Sequence, residues 1–298
     1  MRRSTLGISA VVLAMAVAAC SGNGGSEPAE PAAETVDELA ALVPEEIASK
    51  GTINLGVNVD IAPLKFIDDM GEVTGFSVEQ FKAASDLLGL QVNVEQGSFD
   101  SLIPGLESGR YDALASLADT AERQEKVRFV DFLRAGVSWV AKPDAGLQIA
   151  SRDDLCGHSV AVLKGSGAET EMQEQIQVCA TSGAPELQLA SYADSNAALL
   201  AVDSGEDELA MIDSPAASYN AGAFPDKYSV AYTEYTNPNG IGFPMQPEGL
   251  ADAYSAALKH MYEDGRYQEL AGEFEIPEAD LLTDFPINNG PQLKGQQP

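Results

Sequence analysis

The chain has 298 residues, 45% of them apolar, and carries 17 Lys and Arg against 46 Asp and Glu, a formal charge of −29. That balance argues against holding nucleic acid or an anionic lipid surface by basic patches. Two histidines and three cysteines offer no metal-ligand spacing, and no G-x-S-x-G, H-E-x-x-H or P-loop motif occurs, so neither a metal nor a cofactor is expected.

Arg2 and Arg3 precede an apolar stretch, Leu6–Ala19. Its length is that of a secretory h-region and too short to span a bilayer, so residues 1–19 read as a signal peptide. The stretch ends in Val17-Ala18-Ala19-Cys20, which resembles the lipobox of bacterial lipoproteins. The resemblance implies a diacylglycerol on the Cys20 thiol, which becomes the mature N-terminus and anchors the chain to the outer face of the cell membrane. An ordinary cleaved signal with a chance cysteine is the alternative. Residues 20–46 are expected to form a lipid-anchored disordered linker, because Ser21–Thr35 is Gly, Ser, Pro, Glu and Ala with almost nothing to bury.

The body reads as alternating strands and helices. Thr52–Val59 is strand-like, Val78, Phe81 and Leu88 share one helical face, Gln91–Glu95 is strand-like and Phe99–Ser108 helix-like. Leu114–Leu117 is a short buried run, Ala121–Val127 a polar helical stretch and Val137–Ala141 a strand. The pattern then restarts. Strand Ser159–Leu163 leads through Gly165-Ser166-Gly167 into a helix to Val178. Strand Leu187–Leu189, helix Asn196–Ser204, strand Leu209–Ile212, helix Pro215–Tyr219, strand Ile241–Phe243 and helices Leu250–Met261 and Tyr267–Phe274 follow. The alternation predicts an α/β fold with mainly parallel sheets, in two successive sets. Residues 285–298 are expected to be a loose tail. Export places Cys156 and Cys179 in an oxidising compartment. They are expected to pair, adding about 3 kcal/mol by chain entropy, with a metal site beside His158 as the rival.

Some residues suit a zwitterion. An α-amino acid needs a bidentate cation for its carboxylate, further N–H donors and an anion for its ammonium. Arg123 follows the Leu114–Leu117 run by one short loop, Gly165–Gly167 opens a helix after a strand, and Asp213 ends the Leu209–Ile212 run. Ligands of open α/β sheets sit at such carboxyl ends, and helix N-termini attract carboxylates. Taken alone, Arg123 reads more readily as a surface arginine paired with Glu122 or Glu125. Gly165–Gly167 reads equally as a helix-start turn, and Asp213 as the cap of a helix begun by Ser214-Pro215.

The series Gly51-Thr52-Ile53-Asn54-Leu55-Gly56-Val57, Ala62-Pro63, Gly71-Glu72-Val73-Thr74-Gly75-Phe76, Phe99 to Leu106, Gly109 to Ala113, Thr120-Ala121-Glu122-Arg123, Gly165 to Glu169, Met211 to Pro215 and Asp264 to Tyr267 resembles the extracellular solute-binding proteins of ABC importers, in their polar amino-acid-binding family. The resemblance covers about Gly51–Glu275. It implies a type II periplasmic-binding-protein-like fold, two α/β lobes joined by two crossing strands, with residues 47–141 and 240–284 in lobe 1 and 142–239 in lobe 2. It also implies a monomer that delivers an amino acid to permease subunits. Position by position, Arg123 holds the ligand carboxylate with Thr120 in support, Ser166 and Gly167 donate to it, and Asp213 takes the ammonium. Phe99 and Ser116 are placed in the same pocket.

The departures bear on specificity. Ile61 stands where an aromatic often stacks on the ligand, and Ala118 where a serine is frequent. Asp119 stands where an apolar residue is usual, which suggests a polar or cationic ligand if it does not simply face solvent. The alternative function is an exported dehydratase on the same scaffold, acting on prephenate- or arogenate-like acids. Such an enzyme needs a placed acid, for which Glu79, Glu169 and Asp213 are the candidates.

Overall fold

A computed structural model describes residues 35–60 and 62–294; the expected signal peptide, Cys20 and Ile61 lie outside them. Two short helices, α1 (Asp37–Ala40) and α2 (Glu45–Lys50), open the body. Val43 and Ile47 are buried in the first core, and the Val36 amide donates to Leu87 O at 3.0 Å. The expected linker therefore stops short of residue 46, because these apolar side chains find a surface to cover.

Strand β1 (Thr52–Val57), the hairpin β2 (Phe66–Ile67) and β3 (Val73–Thr74), helix α3 (Phe76–Leu87), β4 (Gln91–Gln96), α4 (Leu102–Glu107) and β5 (Ala113–Ala118) follow. Next come β6 (Val127–Leu133) and β7 (Gly136–Ala141), then β8 (Ser159–Leu163), α5 (Gly167–Ser182), β9 (Gln188–Tyr192), α6 (Ser195–Ser204), β10 (Leu209–Asp213), α7 (Ser214–Ala223) and β11 (Ser229–Tyr235). The chain closes with β12 (Asn239–Pro244), α8 (Leu250–Asp264), α9 (Arg266–Glu273) and α10 (Gly290–Leu293).

Two five-stranded sheets result, in the orders β4-β1-β5-β12-β6 and β11-β7-β10-β8-β9. In each, four strands run the same way and one, β12 or β7, runs antiparallel to both its neighbours. That strand and the outer strand beside it are the ones that pass between lobes. β6 leads through residues 134–135 into β7 of the other sheet, and β11 returns through residues 236–238 into β12. The first crossing thus lies at 134–135 rather than after 141, since Val137–Val140 pair with β10 in the second sheet.

Side chains alternate between faces with the strand period of two. In β6, Val127 and Phe129 join the core under α4, while Val130 and Phe132 join the core under α3, α8 and α9. In the second sheet, Val160 and Val162 pack with Trp139, Met172 and Cys179, and Ala161 packs with Ala198 and Val202 on the other face. Cys156 and Cys179 form a disulfide 23 residues apart in sequence, tying α5 to the loop before β8.

Two expectations change. The polar stretch 121–127 contains only one 3-10 turn, Arg123–Glu125, because Val127 already belongs to β6. The tail is not loose through residue 294. Phe285 is fully buried against Tyr267, their ring centroids 4.9 Å apart. Residues 281–288 run along the outer edge of β6, with Asn288 Oδ1 accepting from the Phe129 amide at 2.7 Å and the Asp131 amide donating to Pro286 O at 2.9 Å. This segment covers hydrogen-bonding groups that an edge strand would otherwise leave open.

Candidate functional site

The carboxyl ends of β1, β5, β8 and β10 and both crossing segments converge on one cleft between the lobes. Among the residues expected there, Arg123, Asp213, Thr120, Ser166, Gly167, Phe99 and Ser116 all line it.

Arg123 is placed by a short turn after β5. Its amide donates to Thr120 Oγ1 at 3.2 Å, and Nη1 donates to Ala118 O at 3.0 Å. The guanidinium carbon lies 5.4 Å from the centre of the Phe99 ring. It makes no ion pair with Glu122 or Glu125 among the described residues, so the surface-arginine reading fails on geometry. Burial lowers its pKa, with the Asp213 carboxylate opposing that shift. Most of its donor fork is left for a partner in the cleft.

Across the cleft, Ser166 is the N-cap of α5, its Oγ accepting from the Glu169 amide at 3.2 Å. The opening turn of this 16-residue helix supplies backbone N–H groups and the positive dipole end at the same place. Asp213 sits at the N-cap position of α7, yet its side chain makes no capping bond. Asp213 is the one exposed residue of β10, its carboxylate open to the cleft at the foot of the α7 turn. Burial raises its pKa, Lys65 and Arg123 pull it down, and Asp60 pushes it up. Buried Asn239 Nδ2 sits beside it without reaching ordinary hydrogen-bond geometry.

Lys65 and Asp60 also line the cleft and were not singled out from the sequence. Lys65 is buried, with Nζ donating to Asn58 Oδ1 at 2.8 Å and Ser116 O at 3.0 Å. Asp60, at the end of the β1 run, accepts from the Ser195 amide at 2.6 Å and from Ser195 Oγ at 2.9 Å, and its carbonyl accepts from Asn196 Nδ2. These bonds join lobe 1 to the N-terminus of α6. The available signal was position: both Asp60 and Lys65 follow a strand's carboxyl end and flank Ala62-Pro63.

Asp119 does not line the cleft. It is fully buried on the far side of the Thr120 turn, accepting from Gln124 Nε2 at 2.8 and 3.0 Å and from the Gly290 amide at 2.8 Å. Beside it lies Asp131, which accepts from the Asn289 amide at 3.1 Å. Burial and the neighbouring Asp119 charge raise Asp131 to about 9. Burial raises Asp119 too, opposed by the hydrogen bonds from Gln124 and Gly290, so when the pair shares one proton Asp119, with the more donors, is the better seat for the charge and Asp131 for the proton. The hint of a cationic ligand drawn from Asp119 therefore has no structural basis.

This pair makes stability depend on pH. An unfolded aspartate loses its proton near ~4, whereas folded Asp131 keeps it to about 9. Between these values the folded state binds more protons, so stability falls as pH rises. Asp131→Asn keeps a donor towards Asp119 and removes the titration. In urea unfolding between about pH 5 and 8, the variant is expected to lose a slope of up to about 1.4 kcal/mol per pH unit. An unchanged slope would place the proton elsewhere.

The model of the bacterial extracellular solute-binding proteins, family 3, matches residues 53–274. The chain belongs to this family. This solute-binding protein is 30% identical over 261 residues to the arginine-binding protein ArgT of Corynebacterium glutamicum, covering 87% of this chain and 85% of that one. It is 29% identical to the glutamine-binding protein GlnH of Bacillus subtilis, over 85% and 90% of the two chains. Among solved structures, the ancestral amino acid-binding protein AncCDT-1, described as a precursor of cyclohexadienyl dehydratase, superposes with a TM-score of 0.69 at 28% identity, over 78% of this chain and 99% of that one. These relatives are binding proteins, and this chain is likewise a binding protein rather than an enzyme.

Two of the three acids weighed for chemistry fit that conclusion. Glu79 accepts from Thr74 Oγ1 and Lys82 Nζ outside the cleft. Glu169 is held below its ordinary pKa by hydrogen bonds from Ser191 and Gly165, the opposite of what a general acid needs.

Proposed function

We propose that this solute-binding protein captures a free α-amino acid between its lobes and passes it to the permease of an ABC importer, working as a monomer at the outer face of the cell membrane. One observation carries the reading: a guanidinium with spare donors, Arg123, and a carboxylate with no capping duty, Asp213, face the same cleft as the opening turn of α5. That set complements a carboxylate and an ammonium at once. The names of the relatives, which specify arginine and glutamine, support the same ligand class.

Lobe 1 then comprises the described residues from 35 to 133 and from 239 to 294, lobe 2 residues 136–235, and closure is a rotation about the two crossing segments. The lipid on Cys20 keeps the loaded protein near its permease at high effective concentration.

A thermal-shift screen of the chain from residue 21 against the proteinogenic amino acids tests the capture. One or a few are expected to raise the melting temperature by several degrees, as mass action requires when ligand exceeds Kd about a hundredfold. A shift with sugars or metal ions, and with no amino acid, would sink the reading. Product formation from an arogenate-like acid would favour the dehydratase instead.

A further inference from the structure

Among the described residues, Lys65 is the one cleft cation that capture of a zwitterion does not use. Its placement is built. The Phe76 amide donates to Pro63 O at 2.9 Å, the Ser77 amide to Leu64 O at 3.0 Å and the Asp60 amide to Lys65 O at 3.0 Å. Gly75, at φ +122°, lets the backbone of Leu64 and Lys65 approach to where a Cβ would meet it at 2.5 Å. A left-handed glycine is what this close approach requires. The side chain is 5% exposed, and two of its three ammonium protons are held by Asn58 Oδ1 and Ser116 O. No acceptor for the third lies within hydrogen-bond reach among the described residues.

Its nearby charges are already engaged or reserved. Burial lowers its pKa, Asp60 and Asp213 favour its charged form and Arg123 disfavours it. Yet both Asp60 oxygens accept from Ser195, and Asp213 is the partner for the ligand's ammonium. Lys65 Nζ lies 5.9 Å from the Phe99 ring centre and the Arg123 guanidinium 5.4 Å, so the two cations flank one aromatic. A ligand held by Arg123 and Asp213 lies within the field of Lys65.

We infer that Lys65 is a specificity-determining residue that makes the side-chain subsite fit an acidic amino acid, its carboxylate accepting the third ammonium proton. The inference rests on amino-acid capture at this cleft, and it departs from the arginine specificity that the name of one relative carries. A cationic side chain would meet a buried like charge, while an acidic one supplies the missing acceptor. Discrimination of this kind works as much by rejecting the wrong ligand as by holding the right one.

Isothermal titration of the wild-type chain with L-glutamate, L-aspartate, L-glutamine, L-arginine and L-lysine tests this without any variant. An acidic amino acid is expected to bind tightest, by about tenfold or more over arginine and lysine. Lys65→Met, which keeps length and loses charge, is expected to erase that ratio, and Lys65→Arg to keep most of it. A neutral or basic amino acid bound more tightly than the acidic ones overturns the inference and leaves amino-acid capture standing. So does an acidic-to-basic ratio unmoved by Lys65→Met. If none of the proteinogenic amino acids binds, capture itself falls and takes the inference with it.

Discussion

Arg123→Ala weakens binding of the amino-acid ligand by about 3 kcal/mol or more, over a hundredfold, because truncating one member of a buried charge pair leaves the other unpaired. The ligand carboxylate would be desolvated in the cleft with only the α5 amides and their dipole to meet it. The fold should tolerate the change. Among the described residues Arg123 makes one side-chain hydrogen bond, to Ala118 O, and no ion pair, so unliganded stability should fall by only about 1 kcal/mol. Arg123→Lys separates charge from geometry. An ammonium keeps the attraction but loses the planar fork, so an intermediate loss is expected. Titration calorimetry reads the affinity and unliganded melting the stability. Wild-type affinity in Arg123→Ala would remove this residue from the site.

The second large effect concerns the fold. Replacing both Cys156 and Cys179 by serine is expected to lower the unfolding free energy by about 3 kcal/mol, through the entropy returned to the unfolded chain when a loop of this length is opened. The bond joins residues 23 apart in sequence, and Cys179 packs with Trp139, Leu155 and Met172, so the loss should be felt in lobe 2. Denaturant unfolding of the variant, and of the wild type with and without reductant, checks this. Equal midpoints throughout would show that the bond adds no stability. Thiol labelling of the native protein should find neither cysteine reactive.

The strands β6 and β11 were not legible in the sequence. β6 (VRFVDFL) carries Arg128 and buried Asp131, and β11 (SVAYTEY) is an edge strand whose residues are mostly half-exposed, so neither shows the apolar run or clean alternation that marks a strand. Their identity comes from partners: β12 beside β6 and β7 beside β11. Asp119 was misleading for a similar reason. A charged residue in an otherwise apolar place suggests a ligand, whereas here the partners are Gln124, Asp131 and a backbone amide from Gly290, 171 residues away in sequence.

Lys65 was overlooked because a lone lysine after a strand looks like any surface lysine. Only the fold around it, with Gly75 admitting the Leu64–Lys65 backbone and Asn58 and Ser116 O taking its protons, turns it into a buried cleft cation.

The sequence by itself determined the family, the two α/β sets and the positions of Arg123, Thr120, Ser166, Gly167 and Asp213, because strand ends, glycine turns and the Thr-x-x-Arg spacing are local patterns that the chain carries in order. The tertiary structure alone decided where the chain crosses between sheets, that Asp60 bonds to Ser195, that the segment 281–290 closes β6, and which charges face the cleft. Those outcomes depend on groups distant in sequence meeting in a low-dielectric interior. There, burial and the neighbours brought by folding set whether a charge is paired, protonated or left for a ligand.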